Sequence, residues 1–436
     1  MEPLKRHVPI DYSRYAPDVP SPHTLYGLPQ SVGFCSRCVI SNQRPNSAVE
    51  FQHTKESRKI TIRMDGGVCD ACRYAEEKER INWADREARL RELCDRFRRN
   101  DGHYDCLVPG SGGKDSFYAA HLLKYKYGMH PLTITWAPHL YTDWGWHNFQ
   151  AWLHAGFDNI LHTPNGRHHR LLTRLAVETL LHPFQPFIFG QKNLAPKIAA
   201  QQDIRLVFYG ESEAEFGNPR EETTTATRDW KYFTSGDLDR VHMSGQSLAT
   251  LKEHFGFEDV DFKPYLPADP DLLRERQIEV HYMGYYEKWH PQGAYYYAVE
   301  HGGFQASPER TAGTYSKYNS IDDKIDDLHY YTTWIKFGIG RATYDAAQEI
   351  RNRDITREEG VALARRFDGE FPERFIDELF RYLSIPPNEF SVASRMFEQP
   401  MMDRAYFEHL CDRFRSPHLW KWQDGAWQPR HTAWNP

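Results

Sequence analysis

The stretch Tyr104-Asp105-Cys106-Leu107-Val108-Pro109-Gly110-Ser111-Gly112-Gly113-Lys114-Asp115-Ser116 limits what this chain can fold into more than any other. Its short apolar run reads as a buried strand, and S-G-G-K-D-S bends that strand into a helix starting near Lys114 or Asp115. The helix carries Phe117, Ala119, Ala120, Leu122 and Leu123 inward at helical spacing and stops at Gly128. A strand, a glycine turn and a helix N-terminus together make an anion site. Unpaired backbone N–H groups and the positive end of the helix dipole converge there, and the missing side chains of Gly112 and Gly113 let phosphate oxygens approach. Ser111 and Ser116 add hydroxyl donors, and Lys114 adds a charge. A bare Gly-Gly turn often does no more than start a helix. Six residues of these types directly after a strand point to nucleotide binding.

The run is neither the G-x-x-x-x-G-K-[ST] loop nor the G-x-G-x-x-G fingerprint. It resembles the PP-loop of the ATP pyrophosphatase superfamily, whose pattern is S-G-G-x-D-S. The resemblance implies a loop that holds the pyrophosphate of ATP while AMP is transferred to a substrate oxygen.

Downstream, Pro131 to Ala137 reads as a second strand, Trp144 to Ala155 as a helix ended by Gly156, and Asn159 to His162 as a third strand. Arg167 to Leu181 is an amphipathic helix, another lies near Ala195 to Gln202, and Ile204 to Tyr209 is a fourth strand. Strands alternating with helices predict an α/β fold with a parallel sheet. Ligands of such sheets sit at the carboxyl ends of strands, where Ser111 and Glu211 both fall. The acidic run Glu211, Glu213, Glu215 beside a triphosphate site suits magnesium, with Glu211 the first choice and a solvated acidic loop the alternative.

Upstream, Cys35-Ser36-Arg37-Cys38 and Cys69-Asp70-Ala71-Cys72 are two C-x-x-C pairs joined by a short alternating strand and a Gly66-Gly67 turn. Two such knuckles complete a tetrahedral thiolate site, so Cys35, Cys38, Cys69 and Cys72 read as ligands of a structural zinc. Buried free thiols and a redox pair are the alternatives. Cys94, Cys106 and Cys411 read as structural. The charged segment from Tyr74 to about Arg99, with Leu90, Leu93, Cys94 and Phe97 on one face, reads as a connecting helix.

The 436 residues favour more than one domain, and 40% hydrophobic residues suffice for ordinary cores. A net charge of −6 does not advertise a nucleic-acid surface. No run approaches a membrane span, the first residues lack the apolar core of a signal peptide, and paired cysteines without an export signal suit a reducing cytoplasm. Glu221 to Asp239 reads as a flexible polar excursion near the site. His281 to Tyr297 is an aromatic-rich subdomain, whose rings either pack or stack a sugar or base. From Asn319 the pattern is helical, with Ile321, Ile325, Leu328 and Tyr331 on one face. Thr356-Arg357-Glu358-Glu359 forms a capping box, and helices follow over Phe371 to Leu383 and Met402 to Phe414. The organisation expected is an N-terminal arm and four-cysteine zinc ribbon (1–75), a connecting helix (76–100), a PP-loop ATP pyrophosphatase domain (101–260), and an aromatic-rich and mostly helical C-terminal region (261–436).

Together these segments resemble the N-acetyl sugar amidotransferases of surface-polysaccharide and flagellin-glycan pathways. The resemblance is carried by both C-x-x-C knuckles, Val108 to Ser116, Tyr209-Gly210-Glu211, Tyr141 through Asn148, Pro164-Asn165-Gly166, and Tyr331 to Arg341 leading into Ile350-Arg351. Gly110 departs from the pattern, which has Val before the first loop Ser, with little effect expected on phosphate binding. The resemblance implies an enzyme that converts the acetamido group of a nucleotide-linked N-acetyl sugar to an acetamidino group, releasing AMP and pyrophosphate. Its implied cofactors are ATP, Mg2+ and a structural Zn2+. Ser111, Gly112, Gly113 and Ser116 would hold the pyrophosphate, Lys114 the developing phosphate charge, and Asp115 with Glu211 the magnesium. Asp115 otherwise only complements the helix dipole. Lys336 and Arg341 could hold a substrate phosphate or carboxylate, as could His168 and His169, although solvated basic positions are commoner. Residue 2 is Glu, and no cysteine reads as a glutaminase nucleophile. Ammonia is therefore expected from a separate glutaminase subunit, with a cyclase-like channel subunit as a further implied partner. The competing reading is a PP-loop tRNA thiolase, which needs a reactive cysteine or cluster near ATP and a basic face for tRNA. A zinc-ribbon adaptor with an inert nucleotide fold is the non-enzymatic alternative.

Overall fold

A computed structural model of the chain describes Leu4, residues 8–219, Thr223 and residues 225–435. Strands β1 (Met64–Asp65) and β2 (Val68–Cys69) pair antiparallel across Gly66 and Gly67, both at positive φ. Helix α1 (Asp70–Lys78) leaves this hairpin directly, and α2 (Trp83–Phe97) follows. The single helix expected over 74–99 is thus two. Lys78 is drawn into a buried ion pair with Glu215 at 2.9 Å, and the Asn82 side chain accepts from the Asp85 N–H to start a new helix. The face predicted to be apolar on α2 is the buried one.

The loop strand is β3 (Cys106–Pro109), followed by β4 (Pro131–Trp136), β5 (Asp158–His162) and β6 (Leu206–Tyr209). After a small hairpin, β7 (His242–Met243) with β8 (Gln246–Ser247), the chain returns as β9 (Glu279–Tyr282). The sheet order is β5-β4-β3-β6-β9, every neighbour parallel, with Leu107 aligned to Leu132 on one side and Val207 on the other. Strand β4 is buried at every position, and β3 and β6 at all but the last, as parallel strands covered on both faces must be. The fifth strand lies beyond residue 260, at the start of the aromatic segment.

Helix α3 (Lys114–His121) continues through a wider turn at Leu122–Lys126 and ends before Gly128, whose φ is +64°. Helices α4 (Asp143–His154), α5 (Gly166–Leu180) and α6 (Gln185–Gln201) complete the crossovers. The expected short helix near 195–202 is the end of α6, which starts ten residues earlier on Pro186 in its first turn. Residues 221, 222 and 224 of the expected excursion lie outside the described residues, as do residues 1–3 and 5–7 of the arm. From residue 225 the excursion is pinned: the Arg228 N–H donates to Val280 O at 2.8 Å and Phe233 is fully buried.

The C-terminal region is mainly helical (Pro291–Gly302, Ile325–Phe337, Arg341–Asn352, Arg357–Phe367, Ile376–Leu383, Arg404–Phe414) and closes with a hairpin, Trp420–Gln423 against Ala426–Pro429. The capping box at Thr356 and Glu359 forms as expected. This region folds back on the N-terminus. Ile40, Ile62 and the knuckle cysteines share one apolar core with Ile325, Leu328, Ala346 and Phe407, and Arg357 donates to Cys38 O at 3.1 Å. Among the described residues no helix is long and apolar enough to cross a membrane.

Candidate active site

Strand β3 delivers Gly110, whose N–H donates to Ile134 O at 2.9 Å and so holds the turn against β4. A Cβ on Gly110 would lie 2.3 Å from that of Ser116, so a valine has no room there. Gly112 takes φ +87°, and a Cβ on it would meet Asn148 O at 2.6 Å. These two glycines fold the turn under the start of α3. The first helical bond runs from Phe117 N–H to Gly113 O at 3.0 Å, which leaves the preceding N–H groups without an intrahelical partner. The turn lines a cavity of about 350 Å3. Its apolar side is built by Ile134, Trp136, Phe187 and Leu194, and Trp136 lies so close over Gly190 that any side chain at that position would strike the indole. A flat base fits such a wall, and the turn fits its phosphates.

Lys114 and Asp115 are paired, Nζ to Oδ2 at 2.6 Å, and the Trp289 indole N–H donates to the other Asp115 oxygen at 2.8 Å. The Ser116 hydroxyl donates to Gly113 O at 3.0 Å. Glu211, just past the end of β6, lines the same cavity, and its carboxyl is pushed up to about 7 by burial and by the Asp115 charge, with Lys114 opposing. Thus Ser111, Gly112, Gly113, Lys114, Asp115, Ser116 and Glu211 all face one cavity. The rest of the acidic run diverges: Glu213 faces an adjoining chamber, and Glu215 is consumed by Lys78.

Sequence reasoning missed the opposite wall. Asp322 and Asp326, at the start of the Ile325–Phe337 helix, line the cavity with Tyr318, His329 and Tyr330. Burial raises both carboxyls; the Ser111 hydroxyl beside Asp322 and Arg341 near Asp326 oppose the rise. Asp323, behind them, accepts from the His139 N–H at 2.7 Å and carries the His139 ring, which clamps the wall to the loop after β4. The Asn148 amide exchanges hydrogen bonds with the Gln305 backbone at 2.7 and 2.9 Å. A cluster of aspartates against a helix of regular apolar spacing was the available signal.

The other basic candidates separate. Arg341 is buried, faces Asp327 at 3.4 Å and donates to Asn319 O and Ser320 O, so it braces the wall from behind. Lys336 is buried too, its ammonium on Leu180 O at 2.6 Å in the adjoining chamber. Neither is a solvated basic position. His168 pairs with Asp261 at 3.0 Å and His169 with the Tyr265 hydroxyl at 2.9 Å, and neither lines the loop cavity.

At the N-terminal knuckles, the Cys35–Cys72 and Cys38–Cys69 sulfurs are each 3.8 Å apart, and all four ligand atoms lie within 4.8 Å of one another. Zinc–sulfur bonds of about 2.3 Å in a tetrahedron separate sulfurs by about 3.8 Å. The N–H groups of Arg37 and Cys69 point at the Cys35 sulfur at 3.4 Å, as they would at a thiolate. The four residues fit a zinc ion with no open position. Cys94, Cys106 and Cys411 are buried, and burial raises each thiol.

Residues 312–432 match the family model described as "LPS biosynthesis protein WbpG-like, C-terminal domain". This supports a place for the chain among lipopolysaccharide and glycan biosynthesis proteins. A segment of 82 residues is 30% identical to an uncharacterized protein, MJ1599, of Methanocaldococcus jannaschii, covering 19% of this chain and 29% of that protein. The chain thus spans under a third of the length of that relative.

Proposed function

We propose that this chain is an ATP-dependent, AMP-forming amidotransferase acting on the acetamido group of a nucleotide-linked N-acetyl sugar. The observation that carries the reading is the S-G-G-K-D-S turn, open at the carboxyl edge of a parallel sheet, with Glu211 between it and a second chamber. The match to a lipopolysaccharide biosynthesis family over the C-terminal region supports a sugar acceptor.

An amide carbonyl resists ammonia because its oxygen leaves poorly. In the proposed reaction the amide oxygen attacks the α-phosphorus of ATP, and the bond to the bridging oxygen breaks. Pyrophosphate departs into the N–H groups of Ser111, Gly112 and Gly113. Lys114, released from Asp115, meets the developing phosphate charge. Ammonia then adds through its lone pair to the imidate carbon, the C–O bond breaks with AMP as leaving group, and the amidine keeps the second nitrogen. Asp115 and Glu211 are the residues that would hold magnesium, which when bound neutralises phosphate charge; the repulsion that raises Glu211 is what a divalent cation relieves. The chain's own work is otherwise positioning and exclusion of water by the Asp322 wall. In this reading ammonia comes from a separate glutaminase with a cyclase-like subunit as its conduit; none of the seven cysteines lines the loop cavity. The same observation weighs against a tRNA thiolase, which needs a reactive sulfur there.

The test is incubation with magnesium ATP, ammonium and nucleotide-linked N-acetyl sugars. AMP, pyrophosphate and a sugar in which oxygen has given way to NH are expected by mass spectrometry; ADP as the nucleotide product overturns the reading.

A further inference from the structure

Across Tyr209, Gly210 and Glu211 from the loop cavity lies a second chamber of about 430 Å3. Distant parts of the chain wall it, among them residues 44–50 and Lys59, residues of α6, the end of β6 with Arg228, and the Ile325–Phe337 helix. Arg44, Lys59, Lys192, Arg228 and Lys336 line it against Glu50, Glu211 and Glu213. That leaves an excess of two positive charges when all are ionised.

The cations are under-paired. Arg228 is only 6% exposed, and among the described residues its nearest carboxylate is Glu213 at 3.6 Å and its Nε has no partner. Glu213 turns its Oε1 toward Arg228 at 3.6 Å, beyond hydrogen-bond distance, while its Oε2 accepts from the Ser47 hydroxyl at 2.7 Å and from the Asn218 amide. Lys192 rests on Ala48 O at 3.0 Å, Lys336 on Leu180 O, and Lys59 on His53 Nδ1 at 3.5 Å. Two further buried nitrogens on the same wall, Nδ1 of His182 and of His329, also lack hydrogen-bond partners among the described residues. Burial pulls Lys59, Lys192 and Lys336 below the ordinary lysine range with Glu50 opposing, and an anion among them would favour their charged forms. Burial pushes Glu50 up, but His53 and Lys192 hold it well below the usual carboxylate range, so it does not absorb the excess as a neutral acid. Packing alone does not favour burying such groups; a bound anion does.

We propose that this chamber is an anion seat for the acceptor substrate and takes the pyrophosphate bridge of the nucleotide-linked sugar. Arg228 and Lys192 are its principal donors, with Lys59 and Lys336 completing the charge. So many converging donors exceed what a single carboxylate accepts, and a chamber of this volume suits a small molecule. Tyr209, Gly210 and Glu211 line both cavities, so an acceptor anchored there lies beside the loop. The identity of the occupant rests on the adenylation reading above; the existence of the seat does not.

The experiment saturates the full chain with α,β-methylene-ATP and magnesium, so that the loop is filled, and then titrates inorganic pyrophosphate by calorimetry. One further equivalent is expected to bind, weakened about tenfold or more in Arg228→Met and Lys192→Met, with the affinity for α,β-methylene-ATP held within about twofold. Because Arg228 is deeply buried, Lys192→Met and Lys59→Met decide the matter if Arg228→Met does not fold. No pyrophosphate bound to the saturated protein, or unchanged pyrophosphate affinity in Lys192→Met and Lys59→Met, overturns the seat. Wild-type protein that binds the second pyrophosphate yet forms no AMP with any nucleotide-linked N-acetyl sugar keeps the seat and removes the adenylation reading.

Discussion

Lys114 and Asp115 pair at 2.6 Å, and in the proposed reaction Lys114 leaves that pair for the phosphate. Ser111→Ala with Lys114→Ala is expected to lower ATP–pyrophosphate exchange by about 10²–10³-fold or more, with circular dichroism and melting unchanged. Wild-type exchange in that variant refutes the assignment of the loop. Glu211 makes a second residue-scale prediction. With its carboxyl raised to about 7 by burial and by Asp115, the ionised form that suits magnesium prevails only above that pH. Magnesium-dependent turnover should therefore fall as pH drops through about 7. In the metal-free chain the sign reverses. A carboxyl raised on folding stabilises most below its unfolded value and loses that contribution as pH rises through about 7, so melting temperature should decline over that range. Glu211→Gln should flatten both profiles; a pH-independent wild type would sink the argument. Ser111 to Ser116 and Glu211 were readable in the sequence because their chemistry sits in contiguous turns at strand ends. Asp322 and Asp326 were not, since Ser320-Ile321-Asp322-Asp323-Lys324-Ile325 has the spacing of a helix with a wet polar face, and here that face is turned inward by His139 and Arg341.

At the scale of elements, four of the five sheet strands were legible because parallel strands are continuous apolar runs. Strand β9 was not: Glu279-Val280-His281-Tyr282 places a histidine inside, and its ring is made tolerable only by Glu279 and the Tyr286 hydroxyl at 2.9 and 2.8 Å. Helix α6 was cut short in the reading because Pro186, Gly190 and Pro196 punctuate it, although Gly190 is there to admit Trp136. The turn into α3 depends on backbone that other residues rarely adopt. Gly112→Ala is expected to cost about 1–3 kcal/mol, from strain at positive φ and the clash with Asn148 O, and to remove pyrophosphate exchange. Chemical denaturation alongside exchange checks both. The four-cysteine knuckle is built into a larger unit. Cys35→Ser should lose zinc by elemental analysis, and because the knuckle shares its core with Ile325, Leu328 and Phe407, the C-terminal helices should melt with it in one transition. A separate, unshifted transition for those helices would contradict this.

Over the whole molecule, one side chain braces three regions. Lys78 is buried and reaches Glu215 at 2.9 and 3.1 Å, Trp289 O at 3.0 Å and Asn352 Oδ1 at 3.4 Å. Lys78→Met leaves Glu215 buried and unpaired, with an expected loss of about 3–5 kcal/mol measured by urea unfolding; a change below about 1 kcal/mol would show the pair to be dispensable. Trp289 in turn holds Asp115 through its indole, so the brace ends at the loop. The same interleaving sets an order of events during synthesis. The loop strand leaves the ribosome after about a quarter of the chain, but its facing wall is encoded beyond residue 317, so a nascent polypeptide carries the S-G-G-K-D-S turn long before the wall that faces it. On the proposed reaction, a chain cut short before residue 318 would keep the turn but lack the wall that holds water away from the adenylate, and would spend ATP without forming product.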